Sequence, residues 1–216
     1  MKQEKQMSES IRIGILLALS GGIMDACSYL CRDHVFANAQ TGNILLLGVN
    51  LSEQNYQAAF RYFCPVLSFT IGIILSDLIR HKRKNMSLFH WRQISVLLEA
   101  AILLCVGFIP AGCNLLANSM TSLSCGIQVE SFRKIHGNGI ATTMCIGNLR
   151  SGTENLCNYF FEKKKGDLKK GLLYYGIILC FVLGAVIGSI AIEYFQEKAI
   201  LLCSVLLFAS FLLMFI

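Results

Sequence analysis

Charged residues and proline are scarce in this chain of 216 residues. Asp, Glu, Lys and Arg make up 15% of it and only two residues are proline, whereas 55% are hydrophobic. An ordinary soluble domain carries about 25% charged residues. The composition therefore excludes a disordered chain, a collagen-like chain and an ordinary soluble domain. The mean hydropathy of +0.58 indicates a protein that crosses a membrane several times.

The chain also lacks the local motifs of common catalytic and metal centres. Its ten cysteines are scattered without a CxxC pair, whereas zinc sites use closely spaced ligand pairs. GxSxG, HExxH, P-loop and dinucleotide-binding fingerprints are absent as well. We therefore expect a protein that is not an enzyme, holds no cofactor or metal, and uses its cysteines as small apolar residues.

The apolar residues fall into six runs long enough to cross about 30 Å of hydrocarbon. One charge-free stretch, 100–129, is too long for a single span, and turn residues around Pro110 divide it. The six predicted spans are 11–31, 56–79, 91–113, 115–135, 171–192 and 199–216.

Two further segments, 35–51 and 140–156, are short and rich in Gly, Asn and Thr. Runs of this length are typical of re-entrant or interfacial pieces. If both are re-entrant, the basic clusters at 80–84, 133–134 and 163–170 lie on the same side as the N-terminus. The positive-inside rule makes that side cytoplasmic and places both termini there. The net charge of +6 then reflects orientation, not nucleic-acid binding.

An offset of 105 residues aligns the two halves of the chain without gaps. It superposes intramembrane acids, helix-capping residues and Gly-Asn steps: Gly21 on Gly126, Asp25 on Glu130, Asn38 on Thr143, Gly42 on Gly147, and Asn43 on Asn148. Each half then holds three spans and one re-entrant piece, and an odd number of spans makes the repeats inverted. The predicted fold is one all-α membrane domain, 1–216. It has six transmembrane helices in two inverted three-span repeats, about 8–113 and 114–216, each with a short re-entrant half-helix.

The string GGIMDA at 21–26, with Val35-Phe36 and then QTGNILLLG at 40–48, resembles the N-terminal signature of the YoaK-like family. The string TTMCIGNL at 142–149 is similar to that family's second motif, where a Thr usually precedes the Gly; here Ile146 stands in its place. The resemblance covers essentially the whole chain. It implies a bacterial multi-span protein of the cytoplasmic (inner) membrane, and since the family is one of unknown function it supplies no established activity.

The two re-entrant pieces predict helices that begin near the membrane midplane with unsatisfied N–H groups. Asn38 would cap a first helix over about 39–49, about 16 Å long, and Thr143 would cap the second from the opposite side. Two facing helix N-termini favour an anionic group. Alternatively, these polar groups only satisfy irregular backbone buried in the protein. The predicted substrate-binding residues are Asn38, Gln40, Thr41, Gly42, Asn43, Thr142, Thr143, Gly147 and Asn148.

Asp25 and Glu130 stand out because a charge inside a span costs roughly 2.5–3.5 kcal/mol on insertion scales. They either carry a proton or cation during transport, or make a fixed pair or hydrogen bond that orients the re-entrant piece. Arg32 is the candidate partner of Asp25, and Arg150 that of Glu130. We assign Asp25, Glu130 and Arg150 to coupling or gating. Glu99 has no acidic counterpart at the same offset and is a weaker candidate.

The leading hypothesis is a small secondary transporter or exporter of a small solute with an anionic group. One alternative is a passive channel, assembled as a homodimer because 216 residues make a thin wall. A further alternative is a membrane interaction protein without transport activity. The expected partners are the lipid bilayer and the small-molecule solute, with no nucleic acid.

Overall fold

The computed structural model describes residues 10–83, 90–135, 137–163 and 165–215. Within these ranges the secondary structure is helical apart from an isolated β-bridge between Ile135 and Asn138. The helices are α1 (Ile11–Cys31), α2 (Gln40–Ser52), α3 (Tyr56–Arg83), α4 (Trp91–Val106), α5 (Asn114–Ser131), α6 (Cys145–Glu162), α7 (Lys165–Phe195) and α8 (Leu201–Leu213). Short 3-10 turns at Ala111–Cys113 and Gln196–Ile200 precede α5 and α8. The predicted all-α class is confirmed for this part of the chain.

Two helix starts follow from local capping. The Ser10 hydroxyl accepts the backbone N–H of Ile13 at 3.3 Å and begins α1. At α4 the His90 ring accepts the N–H of Arg92, and the Gln93 side chain accepts the N–H of His90. This reciprocal capping box satisfies N–H groups that have no partner inside the helix.

Three stretches of the described residues are long and apolar enough to cross a membrane: Ile11–Cys31, Tyr56–Lys82 and Gly166–Leu213. The third contains α7, α8 and the 3-10 turn between them. With 48 residues, this stretch is long enough for two spanning helices. Four of the lysines that the sequence predicts to be cytoplasmic lie outside the described residues: Lys2, Lys5, Lys84 and Lys164.

The largest departures from the predicted boundaries lie at α4 and α6. The predicted span 91–113 ends early, at Val106, since Pro110 cannot continue a helix and disfavours helical backbone at Ile109. The second half-helix, predicted to follow a Thr143 cap within the segment 140–156, begins at Cys145 and continues six residues beyond that segment, to Glu162.

Helix contacts form matched pairs when α1–α4 are compared with α5–α8. Helix α1 packs on α7 as α5 packs on α3, and α2 packs on α3 as α6 packs on α7. Helix α1 also packs on α8, as α5 packs on α4. The contacts of α1 with α5 and of α4 with α8 each join one half of the chain to the other.

Helices α1 and α7 run parallel and approach closely at glycines. Gly14 lies beside Ile177, and further along both helices Gly22 lies against the backbone of Gly184. A Cβ at Gly22 or Gly184 would clash with the backbone of the facing helix. Small residues give transmembrane helices this close approach.

The crossing of α3 and α5 repeats this design. Gly72 and Gly126 face each other, and a Cβ on either would clash with a backbone carbonyl of the other helix. Further along, the hydroxyls of Ser76 and Ser131 are 2.8 Å apart. From the glycine contact to the serine contact, the residue numbers increase along both helices, so α3 and α5 are parallel.

Helices α1 and α5 run antiparallel. Near the start of α1 the amide of Gln128 donates to the carbonyl of Leu17 at 3.1 Å. Just past the end of α1 the amide of Asn118 donates to the carbonyl of Arg32 at 2.6 Å. Helices α1 and α7 therefore point one way, and α3 and α5 point the other way.

We predict that Gly184→Ala destabilises the protein by about 1–3 kcal/mol, because the new methyl group overpacks the crossing with α1. Gly176→Ala in the same helix is the matched control: no atom lies within 4 Å of its added Cβ. This control should gain about 1 kcal/mol from helix propensity. Thermal unfolding of the two variants in detergent decides the point, and equal melting temperatures would contradict the glycine crossing.

Candidate functional site

Non-helical segments interrupt the helices at corresponding places in the two halves. The first runs from Arg32, the C-cap of α1, to Ala39, the N-cap of α2. The second runs from Phe132, the C-cap of α5, to Met144, the N-cap of α6. Ala39 and Met144 are 105 residues apart, which is the offset predicted from the sequence. We call these segments break 1 (32–39) and break 2 (the described residues 132–135 and 137–144).

The prediction that Asn38 and Thr143 cap the two helices is wrong. The N-cap positions belong to Ala39 and Met144, which make no side-chain capping hydrogen bond. Asn38 instead donates its amide to the carbonyl of Gly21 at 3.1 Å. Its side chain is drawn to α1 because the chain turns one residue later than predicted. Both α2 and α6 consequently begin without a side-chain cap.

Asn43 and Asn148 make the same pair of hydrogen bonds in the two halves. The Asn43 amide oxygen accepts the N–H of Phe36 at 3.1 Å, and its nitrogen donates to the Phe36 carbonyl at 2.7 Å. The Asn148 side chain accepts the N–H of Ala141 at 3.2 Å and donates to its carbonyl at 2.6 Å. Each asparagine thereby holds the extended segment seven residues before it against the first turns of its helix.

The two breaks converge on one point of α1. Gly21 accepts the Asn38 hydrogen bond from break 1, and a Cβ on Gly21 would lie 3.0 Å from the methyl carbon of Thr143 in break 2. From α5, Gln128 donates to the hydroxyl oxygen of Thr142 at 3.0 Å as well as to Leu17. The sequence prediction missed Gln128, although a glutamine within a charge-free apolar run marks it as unusual.

Asp25 binds the backbone of break 1. One of its carboxylate oxygens accepts the N–H groups of Ala37 and Asn38 at 2.9 and 2.8 Å. Cys145, the first residue of α6, lies within electrostatic range of the same carboxylate. Asp25 therefore sits where the first break meets the start of the second half-helix.

The predicted pairing of Arg32 with Asp25 is wrong. The Arg32 guanidinium is buried and donates to the carbonyls of Pro110 and Ile109 at 3.0 and 2.7 Å, and to the Asn114 side chain at 3.1 Å. Because Arg32 lies past the end of α1, it reaches the turn between α4 and α5. It ties break 1 to that turn, away from Asp25.

The remaining predicted residues of the first half occupy different environments. Gln40 donates to the carbonyl of Ala37 at 2.8 Å, and the hydroxyl of Ser122 on α5 donates to the same carbonyl at 3.2 Å. Thr41 is exposed. Gly42 lies against the ring of Phe36, so the space left by its missing side chain is filled by a residue of the chain itself.

In the second half, Thr142, Thr143 and Asn148 are buried whereas Gly147 is exposed. An added Cβ on Gly147 would meet no atom within 4 Å, so this glycine is open where Gly42 is covered. Gly42 and Gly147 are related by the offset of 105 residues, but their environments differ.

Glu130 lies in a different setting from Asp25. It is in the last turn of α5, where Arg133 contacts one carboxylate oxygen and Arg80 of α3 lies 3.5 Å from the other. Arg80 also pairs with Asp77. The predicted partner, Arg150, is instead exposed on α6. The prediction failed because α5 ends at Ser131, which brings Glu130 to the charged ends of two helices.

The fold and the two breaks define a polytopic helical membrane protein. In each half of it a non-helical break separates two consecutive helices. The chain belongs to the family described as protein of unknown function DUF1275, whose model matches residues 13–213. It is 31% identical over 199 residues to the UPF0700 transmembrane protein YoaK of Bacillus subtilis (strain 168), an alignment that covers 89% of this chain and 88% of that protein. The predicted YoaK-like membership is thus confirmed. No solved structure gives a significant match.

We predict that Asn43→Ala and Asn148→Ala each lower the free energy of unfolding by about 1–3 kcal/mol, because each removes a buried side chain and leaves a half-buried N–H and carbonyl without their partner. Asn155→Ala is the control, since its side chain only donates to the carbonyl of Ser151 one turn back. Denaturant titration followed by tryptophan fluorescence measures the difference. A loss at Asn155 as large as that at Asn148 would refute the role assigned to the paired asparagines.

Proposed function

We propose that this protein is a small secondary transporter or exporter whose solute carries an anionic group and binds near the membrane midplane between the N-termini of α2 and α6. One observation carries the proposal. Both helices begin uncapped, and the residue before each N-cap is buried with an oxygen that has no partner among the described residues: Asn38 Oδ1 and Thr143 Oγ1. Buried polar atoms normally find a partner, and a bound solute would supply one at equivalent positions of both halves.

The anionic character of the solute follows from the helix ends. Uncapped N-termini present N–H groups and a positive partial charge. The Thr143 hydroxyl adds a donor, whereas the Asn38 oxygen is an acceptor for an N–H or O–H group of the solute. We therefore propose a small solute that joins an anionic group to at least one hydrogen-bond donor.

The proposed architecture is two inverted three-span repeats. Helices α1 and α3 point in opposite directions, as do α5 and α7, so break 1 with α2 and break 2 with α6 each return the chain to the side it came from. Helix α2, about 20 Å long, fits a half-span. The matched helix contacts and the common offset of 105 support a two-fold relation between the halves. Both termini would be cytoplasmic, with Arg80 and Arg133 at that face.

Asp25 would couple the solute to protons. Its carboxylate occupies the N–H groups of Ala37 and Asn38 just before α2. Protonation of Asp25 would weaken these charge-assisted hydrogen bonds and free the N–H groups for the anionic group of the solute. Release of the solute would let Asp25 lose its proton and close on break 1 again. Glu130 with its two arginines, and Arg150 on α6, would act at a gate and not as carriers.

We predict that Asp25→Asn abolishes anion uptake driven by an imposed pH gradient in proteoliposomes, because the amide cannot alternate between charged and neutral forms. Radiolabelled phosphate, sulfate, lactate and alanine are the probes, and Glu193→Gln, an exposed change near the end of α7, is the control. Undiminished gradient-driven uptake by Asp25→Asn would sink the coupling role. Flux without saturation or pH dependence in the native protein would favour the channel.

The topology is testable with thiols. Cys113 is exposed in the turn before α5 and, with both termini cytoplasmic, lies on the outer side. A membrane-impermeant maleimide applied to intact cells should label Cys113, whereas a cysteine introduced by Ser87→Cys, between α3 and α4, should react only after permeabilisation. Peptide mass spectrometry assigns the label, and Cys113→Ser controls for it. Labelling at position 87 from outside would overturn the inverted repeat.

A further inference from the structure

A third carboxyl group, Glu99 of α4, has a more extreme environment than Asp25 or Glu130. Its side chain is 0% exposed, and neither of its oxygens has a hydrogen-bond partner among the residues that the structure describes. Asp25 holds two backbone N–H groups, and Glu130 has two arginines. Glu99 is therefore the buried acid with nothing to compensate a negative charge in this part of the chain.

Hydroxyl groups on the neighbouring helices share this property. Helix α4 packs on α5 and α8, and each of these carries a buried serine whose hydroxyl has no partner among the described residues, Ser124 and Ser204. Ser20 of α1 has the same status, and its carbonyl lies 3.5 Å from the Cys203 sulfur on α8. Four helices thus bring unpaired polar oxygens into the core.

Two of these positions are related by the repeat. Glu99 and Ser204 are 105 residues apart, which is the repeat offset, whereas Ser20 and Ser124 are 104 residues apart and are one position out of register. Each half therefore contributes one serine from its first helix and one polar residue from its last helix. We call Ser20, Glu99, Ser124 and Ser204 the core oxygen set. In this arrangement Glu99 is the one member that can change its charge.

The other ionisable groups around α4 do not neutralise Glu99. Cys125 of α5 lies within its electrostatic range, and Cys203 lies on α8 beside Ser204. On α4 itself, Arg92 is two turns away and stacks over the Trp91 ring at 5.3 Å. Helix α3 and the 3-10 turn before α8 also contact α4. The ionisable residues in their sequences are Tyr56, Arg61, Tyr62, Cys64, Asp77, Arg80, His81, Lys82 and Arg83 on α3, and Glu197 and Lys198 in the 3-10 turn. Several α3 residues form ion pairs with groups other than Glu99. Arg61 pairs with Asp33, Asp77 pairs with Arg80 and His81, and Arg80 also pairs with Glu130.

We propose that Glu99 is a proton-binding site, neutral in the state described here, whose deprotonation opens the contact of α4 with α5 and α8 during the transport cycle. A neutral carboxylic acid needs no counter-ion and costs far less to bury than an ionised one. An ionised carboxylate without a partner is not tolerated in such a core. Loss of the proton to water would therefore require the helices to separate and admit solvent, and uptake of one proton would close them again. The role in a cycle rests on the transport function proposed above; the protonation of Glu99 does not.

Infrared spectroscopy of the purified full-length protein at neutral pH tests the protonation. The carbonyl stretch of a neutral carboxylic acid, which moves on transfer to heavy water, should be present in the native protein and absent from Glu99→Gln. It should persist in Asp25→Asn, Glu130→Gln and Glu193→Gln, since those acids have partners or are exposed. An unchanged band in Glu99→Gln, or loss of the band in Asp25→Asn alone, would overturn the proposal.

The opening is tested without any solute. Cys203 is 0% exposed on α8, so its reaction with N-ethylmaleimide reports separation of these helices. In the native protein and in Glu193→Gln the rate should rise with pH more steeply than the ordinary ionisation of a thiol requires. In Glu99→Gln, locked in the neutral form, this additional rise should disappear. Equal pH dependence in native protein and Glu99→Gln would refute the opening. If the infrared and maleimide results are as expected but the protein takes up none of the probes, the proposed transport function is refuted and the proton site of Glu99 still stands.

Discussion

Buried backbone N–H and C=O groups must find hydrogen-bond partners, and the rest of this structure depends on how the two breaks meet that requirement. Break 1 is held by Asp25 from α1 and by Asn43 from α2. Break 2 is held by Asn148 from α6. Irregular backbone can persist here because the side chains that satisfy it are themselves fixed on helices. The breaks are therefore built features of the fold with defined polar partners.

Close helix packing lets the breaks meet. The glycine crossings of α1 with α7 and of α3 with α5 bring two parallel helix pairs together, and α1 and α5 cross antiparallel between them. Gly21, which lacks a side chain, leaves space on α1 for both Asn38 and Thr143. A bulkier residue at this position would separate the breaks, so packing and polar chemistry depend on the same small residue.

The three buried or half-buried acids of the core and its edge illustrate how environment separates similar residues. Asp25 is compensated by backbone dipoles, Glu130 by two guanidinium groups, and Glu99 by no described partner. The repeat offset places Asp25 and Glu130 together, yet their roles diverge because α5 ends beside Glu130 whereas α1 continues beyond Asp25. Equivalence in sequence therefore does not carry over to equivalence in chemistry.

Much of the architecture was readable from the amino-acid sequence alone. Hydropathy located the apolar helices, the turn residues near Pro110 separated α4 from α5, and the offset of 105 paired the start of α2 with that of α6 and Asn43 with Asn148. The sequence predicted that these two asparagines bind a substrate, whereas in the structure both bind the backbone of the breaks. These features depend on local composition and on a repeat along one dimension. The partners of Arg32 and Glu130, the meeting of both breaks at Gly21, the contribution of Gln128 and the isolation of Glu99 were decided by the tertiary structure. Each of these features depends on which helices become neighbours. Glycine crossings and the positions of helix ends determine those neighbours among helices far apart in sequence, and hydropathy does not encode either of them.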